Sequence, residues 1–340
     1  MAEGLVDAIG SRSDAMPSPS ATDLAAAAAE LARGALVAFP TETVYGLGAD
    51  ASNPQAVRRI FEVKGRPTSH PLIVHFGDAG ELDRYAQDVP EVARRLANAF
   101  WPGPLTLVLA RSHNVPSIVT GGQGTVALRV PAHPVALALL NAFSGGVAAP
   151  SANRFGKVSP TLAAHVREDL GADVDIVLDG GPCDVGVEST ILDVSRGGAV
   201  LLRPGGLSIE SIRERLDIEI SDPGADGPRV PGRLPAHYAP SAELVIATLP
   251  ELSDRVTALL ARGARVGVLS PVLGTTRPGV TVREMPKDAA GFARQLYAGI
   301  RELDRASVDV IVVVPPEASG LGLAVADRLA RAAAAKPGPK

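Results

Sequence analysis

Ala35-Leu36-Val37-Ala38-Phe39-Pro40-Thr41-Glu42-Thr43-Val44-Tyr45-Gly46-Leu47-Gly48-Ala49-Asp50-Ala51 joins an apolar run of strand length to a polar segment carrying two glycines. Directly behind the strand stand a proline, three hydrogen-bonding side chains and a tyrosine. Glycines at this spacing let a backbone turn tightly or approach a ligand that a side chain would hold away. The segment therefore reads as a site loop hung from a buried strand. A plain polar turn is the competing reading, and it loses ground because the same arrangement recurs downstream at other strand ends.

Strand-like runs follow at 72–76, 105–109, 125–130, 147–149, 175–178, 190–194 and 200–202, together with the first at 36–39. Helical faces lie between some of them: Val57, Ile60 and Phe61 share one, Val92, Leu96 and Phe100 another, and 134–143 forms a third. A helix over 24–33 is expected to be capped by Thr22 or Asp23 and ended by Gly34. Neighbouring strands without helices between them predict a mixed sheet with antiparallel pairs. Residues 1–21, small and polar with Ser-Pro steps, are expected to lack fixed structure.

The segment 222–240 breaks this grammar with Pro223, Pro228, Pro231, Pro235 and Pro240, a density that marks a linker. It also carries Arg229, Arg233, His237 and Tyr238, which favours a linker that touches ligand over an inert spacer. Beyond it, strands at 243–248, 265–269, 280–285 and 308–314 alternate with helices at 252–262, 289–304 and 323–335. That alternation predicts crossover connections and a small parallel sheet. The fold class is α/β throughout, with domains at 22–221 and 241–335. Gly320 and Gly322 precede the last helix but lack the rest of a dinucleotide fingerprint.

Composition narrows the function classes. The 340 residues suffice for two full cores, with 46% hydrophobic and 21% charged residues. A formal net charge of -4 disfavours a chain built to neutralise nucleic-acid phosphates, although a local basic patch is compatible with it. A single cysteine, Cys183, excludes an intrachain disulfide, and no histidine lies near it in sequence to activate a thiol. No membrane-spanning run or basic, apolar leader is present in the sequence, so the expected location is the cytoplasm.

Several residues carry chemistry by type and place. Lys64-Gly65-Arg66 puts two cations at a helix end, where they suit phosphate oxygens or cap the helix dipole. His75 ends an apolar run and fits either a ligand contact or a core histidine. Arg129 lies within a buried-looking strand, so a ligand carboxylate or a structural Asp or Glu must pair with it. Ser151 and Asn153, Ser159, Glu188-Ser189 and Arg203 sit at further strand ends beside glycine or proline. Phosphate-loop, nucleophile-elbow and zinc-helix signatures are missing. Cations, hydroxyls and an amide remain, a set suited to gripping polyphosphate and an amino acid.

Lys64/Arg66, Ser151/Asn153, the 39–51 run, Phe100-Trp101-Pro102-Gly103-Pro104-Leu105-Thr106 and His237-Tyr238-Ala239-Pro240 together resemble the threonylcarbamoyl-AMP synthase family in its two-domain form. The resemblance covers about residues 22–335. It implies a YrdC-like twisted mixed sheet, a linker over the site and a small Rossmann-like domain. It further implies that L-threonine, bicarbonate or CO2 and ATP give threonylcarbamoyl-adenylate and pyrophosphate, with Mg2+ accompanying ATP. No protein metal ligand is expected. A tRNA threonylcarbamoyl-transferase would then use the product beside the anticodon; direct tRNA binding is left open. By the same resemblance Lys64, Arg66, Ser151 and Asn153 are catalytic, and Arg66, His70, Thr125, Ser151, Ser159, Arg203 and Tyr238 contact ATP. Thr43, His75, Arg129, Ala149 and Ser189 hold threonine, with Arg129 on its carboxylate. His70 stands where many relatives carry asparagine. A double-stranded RNA-binding or ribosome-maturation factor on the same fold is the alternative. Carbamoyl transfer for metal-centre maturation would need zinc-finger and acylphosphatase-like segments that are not seen in the sequence.

Overall fold

A computed structural model describes residues 18–222, 227–272 and 277–335. Its first sheet contains β1 (Val37–Phe39), β2 (Gly46–Asp50), β3 (Ile73–His75), β4 (Leu105–Ala110), β5 (Thr125–Arg129), β6 (Val147–Ala148), β7 (Ile176–Val177), β8 (Thr190–Asp193), β9 (Ala199–Arg203) and β10 (Ile220–Ser221). These run in the spatial order β10-β9-β8-β4-β5-β3-β6-β2-β1-β7, with parallel and antiparallel neighbours mixed as expected. The helices of this half are α1 (Ala21–Ala32), α2 (Pro54–Lys64), α3 (Leu82–Tyr85), α4 (Glu91–Phe100), α5 (Pro134–Phe143), α6 (Ala163–Leu170) and α7 (Ile209–Leu216). The face formed by Val57, Ile60 and Phe61 is buried in the main core. On another part of the sheet, Ala27, Ala28 and Leu31 of α1 meet Val135, Ala136, Leu139 and Leu140 of α5.

The second sheet is wholly parallel, in the order β11 (Glu243–Ile246), β14 (Val310–Val313), β12 (Val266–Ser270), β13 (Val280–Glu284). Its crossovers run through α8 (Leu252–Ala261) and α9 (Ala289–Arg305), and α10 (Leu321–Ala333) follows the last strand. Across the junction of the two halves, Arg301 of α9 pairs with Asp169 at 2.6 Å and Arg305 with Glu168 at 3.1 Å. Val44, Val158, Val187 and Tyr238 belong to the same apolar cluster as Phe292, Leu296, Tyr297 and Ile300 of α9. The linker is stitched to both sides. Arg203 Nη1 donates to Pro231 O at 2.9 Å, and Arg331 Nη1 donates to Leu234 O at 2.7 Å.

Four details depart from the sequence reading. The segment holding Gly46 and Gly48 is a strand, antiparallel to β1, rather than a loop. A Cβ on Gly48 would sit 2.7 Å from Val147 Cγ1 and 2.8 Å from the Phe39 ring, so this glycine serves close packing. Helix α1 starts at Ala21 because Ser20 and Asp23 form a reciprocal capping box, which outcompetes the expected Thr22 or Asp23 cap. Residues 1–17 of the expected unstructured tail lie outside the described residues, as do 223–226 of the linker. Helices α6 and α7, unassigned from sequence, are short, and α7 buries Ile212 as its anchor. Finally, a Cβ on Gly322 would meet Glu317 O at 1.8 Å, so a tight turn explains the glycine pair before α10.

Candidate active site

Thr41 builds the turn after β1. Its hydroxyl donates to Val44 O at 2.7 Å, and the Val44 amide returns a bond at 3.2 Å. With the Thr41 proton committed, Thr43 donates to Thr41 Oγ1 at 2.8 Å and accepts from Arg129 Nη1 at 2.9 Å. Arg129, at the end of β5, also donates from Nε to Gly103 O at 3.2 Å. Its third nitrogen, Nη2, lies 2.7 Å from Glu42 Oε1, the structural carboxylate the buried charge requires. That contact has ion-pair distance but misses hydrogen-bond alignment, which leaves Nη2 without an in-line acceptor. Arg129 thus lines the cavity with its charge shared with Glu42.

Around it lies an inner chamber of about 50 Å³, lined among others by Thr41, Thr43, Val44, Ile73, His75, Arg129, Ala149, Ser151, Glu188, Ser189, Arg203 and Tyr238. His75 lines the chamber with its Nδ1 lacking an aligned partner, although the Ile73 and Val147 backbone also acts on the ring. Burial first, and then Arg129, push His75 down to about 3, so the ring is neutral. Ser189 is braced from two sides: Thr106 Oγ1 is 2.8 Å from its hydroxyl, and Arg203 Nη2 donates to that hydroxyl at 3.1 Å and to Ser189 O at 2.9 Å. The 100–106 motif therefore acts behind the wall, through Gly103 on Arg129 and Thr106 on Ser189.

Arg66, Gly232 and His237 also line an outer chamber of about 290 Å³, so the two spaces form one cleft. The outer part takes its wall from His70, Phe155, Arg229, Val230, Arg233 and Leu234. Arg66 donates from Nη2 to Pro71 O at 2.9 Å, its Nε is buried without a partner, and its guanidinium sits 5.6 Å over the Phe155 ring. Burial pushes Arg66 down to about 10, still cationic at neutral pH. His70 packs edge-on against Phe155 at 5.4 Å, and burial, Arg66 and Arg229 lower its basicity. An unpaired buried cation beside a wide opening is a ready anion site.

Ten of the fourteen residues expected from sequence line this cleft: Thr43, Arg66, His70, His75, Arg129, Ala149, Ser151, Ser189, Arg203 and Tyr238. Lys64, Thr125, Asn153 and Ser159 do not line either chamber. Lys64 Nζ instead donates to Ser151 O at 2.6 Å and to Asn153 O, beneath the wall. Ser159 donates to Glu188 Oε1 at 2.6 Å. Cys183 is buried with its thiol pushed up by burial, in keeping with an inert side chain.

Two family models together match nearly all of the described chain. The one described as "Telomere recombination" (Sua5_yciO_yrdC) covers residues 29–205, and "Threonylcarbamoyl-AMP synthase, C-terminal domain" covers 207–334. A threonylcarbamoyl-AMP synthase of Pyrococcus abyssi is 44% identical over 314 residues, spanning 90% of this chain and 92% of that one. The chain belongs to the threonylcarbamoyl-AMP synthase family. The synthase of Bacillus subtilis is 42% identical over 324 residues, spanning 91% and 92% of the two chains. The crystal structure of P. abyssi Sua5 complexed with L-threonine superposes with a TM-score of 0.87 at 42% identity, covering 93% of this chain and 96% of that one.

In this member of the family the linker closes the cleft through a glycine. Gly232 has φ +79°, and a Cβ there would come within 2.2 Å of the Tyr238 hydroxyl and 3.0 Å of Arg203 Nη1. Gly232→Ala is expected to push the linker off Tyr238 and to cost about 1–3 kcal/mol. Thermal unfolding together with steady-state turnover checks this, with turnover expected to fall about tenfold or more. Wild-type values for both would contradict the packing.

Proposed function

We propose that the cleft condenses L-threonine, bicarbonate or CO2 and ATP into threonylcarbamoyl-adenylate and pyrophosphate. The observation that carries this reading is two buried cations along one cleft: Arg129, paired with Glu42 at 2.7 Å, in the inner chamber, and Arg66, with an unpartnered Nε, where the chambers meet. Arg129 receives the threonine carboxylate, while Thr43, neutral His75 and Ser189 surround its amino and hydroxyl groups. Val44, Ile73 and Ala149 supply an apolar corner for the methyl group. The outer chamber, with Arg66, His70 and the linker arginines, takes the nucleotide, and Arg203 with Tyr238 closes the boundary.

The chain needs no covalent nucleophile. The amine nitrogen bonds to the carbon of CO2, or to that of bicarbonate with loss of water, and gives up a proton. One oxygen of the resulting carbamate then bonds to the α-phosphorus of ATP as the bond to the β-phosphate oxygen breaks, releasing pyrophosphate. The residues contribute positioning and charge neutralisation, and the arginines act more strongly than in bulk water because they are buried. Mg2+ accompanying ATP would offset the charge of the triphosphate, and no side chain is assigned to hold it. Glu188 and Glu42 are already engaged by arginines, and among the described residues no cluster of His, Cys, Asp or Glu suits a metal.

Among the described residues no helix is long and apolar enough to cross a membrane. The product is a mixed anhydride whose acyl group is activated for transfer, and we assign its use to a tRNA threonylcarbamoyl-transferase in the cytoplasm. Pyrophosphate release measured with threonine, serine or no amino acid, each with and without bicarbonate, tests the assignment. Full release is expected only with threonine and bicarbonate together, and serine should be about tenfold or more poorer for want of its methyl group. Release that ignores either co-substrate would sink the reading.

A further inference from the structure

Helix α10 presents Leu321, Ala324, Val325, Leu329 and Ala332 to the second core, yet Arg328 on the same face is 1% exposed. It does not end in that core. Its Nε donates at 2.7 Å to Glu188 Oε2, and Glu188 lines the inner chamber of the other domain. Tyr297 of α9 adds a second bond to the same oxygen at 2.9 Å, and Ser159 holds Oε1. The Arg328 guanidinium also lies 5.3 Å over the ring of Tyr238, which stacks on Tyr297 with centroids 5.8 Å apart. Glu188 precedes Ser189, whose carbonyl and hydroxyl anchor Arg203.

We propose that Arg328 is a positioning residue, supplied by the C-terminal domain, that neutralises Glu188 and thereby holds the Ser189–Arg203–Tyr238 wall in shape for an anionic nucleotide. The inference rests on the function proposed above for its substrate, and on the contacts around Glu188 for its mechanism. Glu188 is buried in the inner chamber, behind the Arg203–Tyr238 boundary that the nucleotide must reach. Arg328, whose Nη1 also pairs with Asp327 at 2.6 Å, offsets that charge; without it Arg203 is the remaining cation acting on Glu188, and the under-compensated carboxylate would repel the nucleotide. The groups facing Glu188 are Arg328 from α10, Tyr297 from α9, Arg203 from β9, Ser159, and Tyr238 and His237 from the linker, while Asp327 sits behind Arg328 at 2.6 Å.

The sign of the pH effect follows. Burial raises Glu188, but Arg328, Arg203 and the Ser159 bond outweigh it and hold the carboxyl down to about 2. It is therefore charged, and stabilising, from above the ordinary carboxylate range down to that value. In Arg328→Met burial is opposed less, so Glu188 rises and takes up a proton at higher pH. The variant's deficit is then greatest at neutral pH and shrinks as acid neutralises Glu188.

Arg328→Met and the double variant Arg328→Met/Glu188→Gln decide the matter, each as full-length chain. Thermal unfolding without ligand and ATP half-saturation are read at about pH 8 and about pH 5.5. The single variant is expected to lose melting temperature and to raise ATP half-saturation about tenfold at the higher pH, with a smaller deficit at the lower. The double variant should recover most of both. A deficit equal at the two pH values and unrelieved by Glu188→Gln would make Arg328 a plain structural residue and overturn the proposal. Because the melting arm needs no substrate, a misassigned reaction would silence turnover while leaving that arm to report on Arg328.

Discussion

Arg129→Ala is expected to raise the half-saturating threonine concentration about a hundredfold while that for ATP changes by no more than about threefold. The size follows from the bond at stake, since a hydrogen bond to a charged group contributes about 1.5–3 kcal/mol and the chamber shields it from water. The same change strips Glu42 of its cation, and Glu42 is buried with its other oxygen accepting from the Ala132 amide at 3.0 Å. Removing one partner of a buried pair costs about 3–5 kcal/mol, so the variant should also melt early. Arg129→Ala/Glu42→Gln separates the two effects: stability should return in part, whereas threonine affinity should not. Steady-state kinetics in both substrates, with a melting curve beside each, carry the measurement. A matching rise for ATP would contradict a carboxylate-specific role.

That division of labour was partly visible in the amino-acid order. Polar groups at the ends of strands converge wherever a sheet gathers its edges, so Arg129, Ser151, Ser189 and Arg203 could be picked out one by one and did meet in one cleft. Alternation of strand and helix after 240 likewise announced the parallel sheet, because crossover connections leave few other solutions. What pattern does not show is which side chain a buried charge meets across 140 positions of chain. Arg328 and Glu188 are such a pair. The available clue was a single arginine on an otherwise apolar helical face, which marks a charge with a partner but not the partner's address. Gly48 failed differently. A glycine needed for a neighbour's ring and a glycine needed for a ligand look the same until the Phe39 ring is in place.

Lys64 sharpens the contrast, since its residue type suggests a phosphate contact and its surroundings suggest a strut. It ends α2 just before Gly65, whose φ of +63° turns the chain away, and its ammonium meets Ser151 O at 2.6 Å, Asn153 Oδ1 at 3.4 Å and Asn153 O. Burial, with Arg66 close by, lowers its basicity, yet only the ammonium carries three protons for three acceptors. Lys64→Met keeps the stem and removes those donors, leaving carbonyl groups of the 151–153 segment unsatisfied at about 1–3 kcal/mol each. Ser151, bonded to Asn153 Oδ1 at 2.5 Å, would shift with that segment, and a displacement on the order of 1 Å in a cleft wall costs about a hundredfold in rate. The expected outcome is a maximal rate about a hundredfold lower, an early melt, and half-saturation for threonine and ATP moved alike. A selective rise in ATP half-saturation with an unchanged melt would instead place the ammonium on the triphosphate, and Lys64 would then swing out of its present seat when nucleotide enters.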